Sequence, residues 1–216
     1  MKKIDSSGFI LILANLVPLI GVLFFKWDHF SLLMGYWVET GVICIFTIAK
    51  LVYIYKVTFK PVILIVGISV LSTSAGFMFA HFIGIMSLFS TIPGGDGFTG
   101  LNLFKDSSTQ LLTMFITLCI SHGYSFIYNF FGRDEKKSII SLVNQTGANS
   151  SRVGNVITGD FMTRVGFTQF IIIVGVFITG ITRTTLYISV IFIVLKILVD
   201  LTLHNRKHKQ ARLMGA

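Results

Sequence analysis

The sequence predicts an all-α membrane protein, a polytopic bundle of six transmembrane helices with both ends in the cytoplasm. Three observations lead there. The chain is 53% hydrophobic and 12% charged, where a soluble domain carries about 25% charged residues. Its apolar residues gather into six continuous runs, each near the ~20 residues a helix needs to cross ~30 Å of hydrocarbon. Its basic residues fall on alternate connections, which sets an orientation. The 216 residues suffice for one bundle and leave no room for a sizeable soluble domain.

The first run spans about residues 8–25, after Lys2 and Lys3. It begins like a signal peptide, but the run is long, Asp5 interrupts the basic start and no small-x-small cleavage site follows, so an uncleaved first helix is expected. The second spans 31–55 and the third 61–89, where Pro61 suits a first helical turn. The fourth spans 109–131, the fifth 165–181 and the sixth 186–204. Backbone groups in lipid must bond within their own segment, so these runs are helices. A β-barrel would show short alternating runs instead.

Lys56 and Lys60 lie between runs two and three. Arg133, Lys136, Lys137 and Arg152 lie between four and five, and Arg206, Lys207, Lys209 and Arg212 follow run six. The other side has Lys26, Lys105 and Arg183. The expected location is therefore the cell membrane of a prokaryote, multi-pass, with both termini cytoplasmic. The net charge of +9 is assigned to topology and anionic headgroups. No stretch interleaves bases with aromatics as a nucleic-acid surface does, so the expected partner is the lipid bilayer, with a second copy or a larger membrane complex as further candidates.

The outer loop "STIPGGDGFTGLNLFKDSS" is turn-rich and lacks the Lys and Ser/Thr of a phosphate loop. The inner loop, about 132–164, holds "SIISLVNQ", a short apolar run suited to lying along headgroups. Asn144 and Asn149 match the glycosylation pattern but face the cytoplasm in this topology. Cys44 and Cys119 sit in apolar runs as isolated thiols.

A charge near the bilayer centre costs ~2.5–3.5 kcal/mol on insertion scales, so such residues turn inward and find partners. Glu39 is the one carboxylate between Ser31 and Ala49, with no base beside it. Counting ~1.5 Å per residue puts Glu39 and His81 at one depth, which makes them the expected pair. On run four, His122, Ser125, Asn129 and Arg133 share a face. On run six, Lys196, Asp200 and His204 are spaced by four, and Asp200 is expected to neutralise Lys196. Asp160 and Arg164 enter run five from the inner side. Two interpretations stand. These groups form a polar track from Glu39 and His81 through His122 to Lys196, Asp200 and Arg164, or each pair is local glue.

An enzymatic reading also has residues behind it. Glu39, His81 and His122 are of the types that bind zinc or iron, with His122 lying deeper than the other two. "FMFAH" fits the Phe-x-x-x-His element of CAAX-protease-like peptidases, but the Glu-Glu pair those need is missing. No Gly-x-Ser-Gly stretch supports rhomboid-type serine chemistry. Three functional classes therefore remain: a non-enzymatic protein that moves or senses protons or a small solute, a metal-dependent intramembrane hydrolase, and an accessory subunit of a membrane complex.

"ANLVPLIGVLFFKWDHFSLLMGYWVET" resembles the opening of domain-of-unknown-function family 6498, a group of prokaryotic multi-helix membrane proteins. The resemblance rests on an Asn-Leu-x-Pro run, on Tyr36, Trp37 and Glu39, and on the element of Ser121, His122, Gly123, Ser125, Phe126, Asn129 and Arg133. Lys196 and Asp200 match a closing Lys-x-x-x-Asp helix. Gln169 departs from the pattern, where a His is expected in the fifth helix. The resemblance supports the fold and marks these residues as a recurring set, and it implies no activity.

Overall fold

The computed structural model describes residues 6–90, 104–132, 135–145, 150–182 and 190–202. Helices account for nearly all of these residues, and no strand occurs among them. The helices are α1 (Ser6–Phe24), α2 (His29–Thr58), α3 (Pro61–Ser90), α4 (Ser108–Ser125, continued by a π-helical turn over Phe126–Phe131), α5 (Glu135–Asn144), α6 (Ser150–Thr182) and α7 (residues 190–202).

Local chemistry sets the helix ends. The Gly21 carbonyl accepts from the N–H groups of Phe25 and Trp27, both at 3.0 Å, which turns the chain out of α1. Lys26 takes a left-handed conformation there (φ 54°). The Trp27 indole folds onto Gly21, in space that any side chain at that position would need. Asp28 then caps α2, its Oδ1 accepting from the Ser31 N–H at 2.6 Å. Its Oδ2 accepts from the Ser107 hydroxyl at 3.2 Å. The starts of α2 and α4 are thereby held at one level. At the far end of α2, Phe59 is left-handed (φ 51°) and donates its N–H to the Tyr55 carbonyl at 2.7 Å.

Two boundaries differ from the sequence reading for a physical reason. The second helix runs on to Thr58 because polar Lys56 and Thr58 still complete helical bonds, Thr58 Oγ1 donating to the Ile54 carbonyl at 2.8 Å. The inner connection, expected as a loop with an apolar run on the headgroups, folds into α5 and the first half of α6. Ile139 and Val143, four apart on α5, are buried against α2 and α6 residues including Leu51, Ile54 and Val153. Lys50 of α2 fastens α5 by a 3.0 Å ion pair with Glu135. α6 bends by 48° between Val153–Gly159 and Phe161–Gly175. The polar residues around that bend are what hide its helical start in the sequence. The outer glycine-rich loop, Arg133, Asn149, the chain start and residues beyond 202 lie outside the described residues.

Helix α2 is the axis of the bundle, touching α3, α4, α5 and α6, while α3 also packs on α6 and α1 on α4. Two apolar clusters lie along it. One joins Ile43, Leu51 and Ile54 to Ile63, Phe130, Ile139 and Val153. The other joins Phe30, Leu32, Leu33 and Tyr36 to Ile85, Ile171, Ile172, Phe192 and Ile193. Besides this apolar interior, large apolar side chains cover the outside and a lysine is enclosed: Ile68 is 65% exposed and Phe79 68%, while Lys196 is 2% exposed. Among the described residues, three helices are long and apolar enough to cross a membrane (His29–Thr58, Pro61–Ser87 and Ser108–Phe131), and the bent pair in α6 makes up to four.

Candidate functional site

A buried ion cluster lies between the two apolar clusters. Lys196 of α7 places its Nζ 2.8 Å from Glu39 Oε1 and 2.7 Å from Asp200 Oδ2. All three side chains are nearly inaccessible, at 3–6% exposure. The Asp200–Lys196 pair, one turn apart, is the one the spacing predicts. The Glu39 partner is a different matter. It is Lys196, 157 positions away, and not His81.

The reason is rotational. Trp37 donates its indole N–H to the Met78 carbonyl of α3 at 2.7 Å. Gly41, one turn on, leaves the space that the Met78 methyl approaches. Trp37 and Gly41 thus define the α3-facing side of α2. Glu39 stands two residues, about 200°, around the helix from Trp37 and points away from α3. His81, at the expected depth, turns back along its own helix, its Nδ1 2.6 Å from the Phe77 carbonyl. Depth counting is blind to helical phase.

His122 comes closer to Glu39 than depth suggests. Its Nε2 is 3.9 Å from Glu39 Oε1, too long for a direct hydrogen bond and short enough for one intervening adjustment or water. With α2 and α4 level at Asp28 and Ser107, His122 starts four residues, about 6 Å, further along its helix than Glu39. Two side chains of this length span that gap. The set Glu39, His81 and His122, considered for zinc or iron, is therefore not assembled. Among the described residues, no three His, Cys, Asp or Glu side chains converge as a metal-ligand group.

Asn15 completes the cluster, and in the sequence it stands out only within the family-like Asn-Leu-x-Pro run. Its amide donates to Asp200 Oδ2 at 3.2 Å and to its own helix at the Leu11 carbonyl at 3.0 Å. An amide inside an apolar helix is the signal that could have found it. Tyr36 packs its ring face toward Lys196, with Nζ 5.9 Å from the centroid. Tyr36 is 2% exposed, and its hydroxyl has no partner among the described residues. A small cleft of about 10 Å3 adjoins the cluster, lined by α1 (Ala14, Asn15, Pro18), α2 (Tyr36, Glu39) and α4 (Thr117 among others).

The other candidates are spread out. Ser121 and Asn129 are buried on α4, and Asn129 donates to Ser125 Oγ at 3.0 Å, inside the stripe that the spacing predicts. The π turn, marked by the Gly132 N–H donating to the Ile127 carbonyl at 3.0 Å, rotates residues 126–131 relative to the α-helical face before them. Gly123 lets α4 approach the Phe46 ring, which would sit 3.4 Å from a Cβ there. Arg164 is half-buried on α6, and among the described residues no ion pair joins it to Glu39 or Asp200, whose partner is Lys196, so the inner limb of the expected track is not assembled there. Gln169, in place of the expected His, is buried and donates to Thr40 Oγ1 at 3.3 Å. That hydroxyl is adjacent in sequence to Glu39 and itself donates to the Tyr36 carbonyl at 3.3 Å.

The chain belongs to a family of unknown function, DUF6498, whose family model matches residues 2–216. No curated protein matches it, and no solved structure does.

Proposed function

We propose that the protein is a multi-pass membrane protein that takes up and passes on protons at the Glu39–Lys196–Asp200 cluster, with His122 as the adjoining carrier. One observation carries this reading. A lysine is enclosed by two carboxylates at 2.8 and 2.7 Å, out of reach of solvent. Two carboxylates and one ammonium leave a formal charge of −1 in a low-dielectric setting. One added proton, on Glu39 or on the neighbouring imidazole, makes the cluster neutral. Intramembrane clusters of this kind are what proton paths are built from.

The size of the cleft selects among cargoes. About 10 Å3 is close to what one water needs and far below a pocket for a solute, which runs to hundreds of Å3. Protons are therefore favoured over a small solute. The geometry gives the metal-hydrolase alternative no support, since the described ligand-type side chains do not converge. The accessory-subunit alternative has no particular observation behind it. The topology we assign is six crossings with both ends cytoplasmic in a prokaryotic cell membrane. It is supported by the three long apolar helices and the one-sided distribution of Lys and Arg.

The test is proton flux in liposomes loaded with a pH-sensitive dye, under an imposed pH gradient. The parent should collapse the gradient faster than empty liposomes, and Glu39→Gln should fall to the empty-liposome rate. A parent that does not conduct, or a Glu39→Gln variant that conducts at the parental rate, would overturn the proposal.

A further inference from the structure

We propose that α5 is a gate over the inner end of the bundle, latched shut by the Lys50–Glu135 ion pair, and that its opening lets protons pass between the buried cluster and the inner side. The last clause rests on the proton-handling reading. The latch and the gate rest on packing and charge alone.

Depth along α2 separates the cluster from the inner side. The starts of α2 and α4 are level at Asp28 and Ser107. Glu39 lies about 16 Å beyond Asp28 at ~1.5 Å per residue, and Lys50 about 33 Å beyond it. Against ~30 Å of hydrocarbon, Glu39 is near mid-depth and Lys50 is at the inner boundary. Between them the buried side chains of α2 are Val42, Ile43, Cys44 and Thr47, and Thr47 donates its hydroxyl to the Ile43 carbonyl at 2.8 Å. Ile43 and Cys44 belong to the apolar cluster that α3, α4, α5 and α6 complete through Val70, Phe130, Ile139 and Phe161. Dry apolar packing offers a charge no partner, so in this form the cluster is shut off from the inner side along α2.

α5 is the part of this closure most easily moved. It has 10 residues, and isolated helices shorter than about 12–15 residues are marginal, so its neighbours hold it in place. Two buried side chains, Ile139 and Val143, seat it on the apolar cluster. Its first turn is fastened to α2 by Lys50 Nζ, 3.0 Å from Glu135 Oε1. Lys50 Nζ also stands 5.6 Å from the centre of the Phe130 ring, and Lys136 Nζ 5.2 Å from that of Phe131. The latch thus closes over the π turn, a helical form found most often at functional positions. The two partners keep 19% and 20% of their side-chain surface exposed. A pair this wet is weak and screened by salt, and it can part without unfolding the bundle. When it does, α5 lifts away with Ile139 and Val143, and the cluster around Leu51, Ile54 and Cys44 loses its cover.

Cys44 reports the gate, because its thiol is buried in that cluster, while half-buried Cys119 on α4 lies outside it. The full chain in lipid nanodiscs is treated with N-ethylmaleimide, and the labelling of each cysteine is followed by peptide mass spectrometry. Glu135→Gln should speed Cys44 about threefold, the size expected for losing a half-exposed ion pair, and leave Cys119 at its parental rate. Exchanging the two charges, Lys50→Glu with Glu135→Lys, should bring Cys44 back. Added salt should speed Cys44 in the parent and not in Glu135→Gln. If the variants do not fold, the salt response of the unaltered protein still decides. Equal Cys44 rates in parent and Glu135→Gln, or a parental rate indifferent to salt, overturn the gate. Equal speeding of both cysteines marks a general loosening and overturns it as well. Proton flux in liposomes separates the two proposals, and Glu135→Gln should raise it along with Cys44 labelling. Faster Cys44 labelling in a protein that moves no protons keeps the opening of α5 and overturns its role in proton passage together with the proton reading. Flux that depends on Glu39, with Cys44 labelling unchanged in Glu135→Gln, overturns the gate alone.

Discussion

Replacing Lys196 by methionine, which has a similar unbranched length, removes the charge that both carboxylates share. The Glu39 and Asp200 oxygens each lie within 2.8 Å of Nζ, so they are at most about 5.5 Å apart. Two unit charges at that distance repel by about 3 kcal/mol at an effective dielectric near 20. Deleting one partner of a buried ion pair is measured to cost about 3–5 kcal/mol, so two routes agree on the size. For a chain of this length 1 kcal/mol moves the melting point by about 2–4 °C, which gives a fall of roughly 6–20 °C. The assay is thermal unfolding in detergent with a thiol-reactive dye reporting the exposure of buried Cys44. Half-buried Cys119 is replaced by serine in both proteins to keep the signal on one site. A companion protein with Glu39→Gln and Asp200→Asn added to Lys196→Met should recover most of the loss, because no uncompensated charge remains. A Lys196→Met melting point within about 2 °C of the parent would refute the buried three-residue cluster.

Trp37→Phe keeps an aromatic ring against Phe82 but loses the 2.7 Å bond to the Met78 carbonyl and part of the indole's packing on the apolar cluster, so a loss of about 1–3 kcal/mol is expected in the same melting assay. Gly132→Ala should cost more than Gly35→Ala. A Cβ at 132 meets the Tyr128 carbonyl oxygen at 2.7 Å, which is backbone, whereas at 35 it meets the mobile end of Met114; about 1–3 kcal/mol is expected at 132, read from paired melts. His81→Ala and Glu39→Gln should be additive to within about 0.5 kcal/mol in a double-mutant cycle, since the two residues share no partner; a larger coupling would bring back a shared metal or proton.

The element types are legible in the sequence because apolar runs of this length allow only helices in lipid. The Lys196–Asp200 pair is legible because both residues lie on one helix, where spacing alone sets who can touch. Across helices, spacing fixes depth but not facing. Depth assigns Glu39 to His81, and the structure sends it to the opposite side of α2 because Trp37 and Gly41 take the side toward α3. The sequence contains half of this argument: a Trp and a Gly four apart with a Glu two residues from the Trp cannot all face one neighbour. It lacks the other half, which neighbour lies on which side. Asn15 escapes notice for the same reason, its partner Asp200 being 185 positions away. The α5 stretch reads as a headgroup segment because its apolar residues, Ile139 and Val143, find their burial only once Leu51, Ile54 and Val153 are in place.

The composition of the cluster separates a clamp from a working site. Lys196 and Asp200 already form a neutral pair within α7, one turn apart, that needs no further charge. A second carboxylate adds a buried charge, whose burial is a cost that a purely structural design would avoid. Glu39→Gln keeps the side-chain shape and leaves the neutral Lys196–Asp200 pair at 2.7 Å intact. If Glu39 serves proton transfer, this variant should melt at or above the parental temperature while losing proton flux, the trade expected when a strained functional group is relieved. If Glu39 is structural, the same variant should melt several degrees lower with flux unaffected. The two measurements come from one preparation, and the second pattern would remove the proton reading while leaving the ion cluster itself in place.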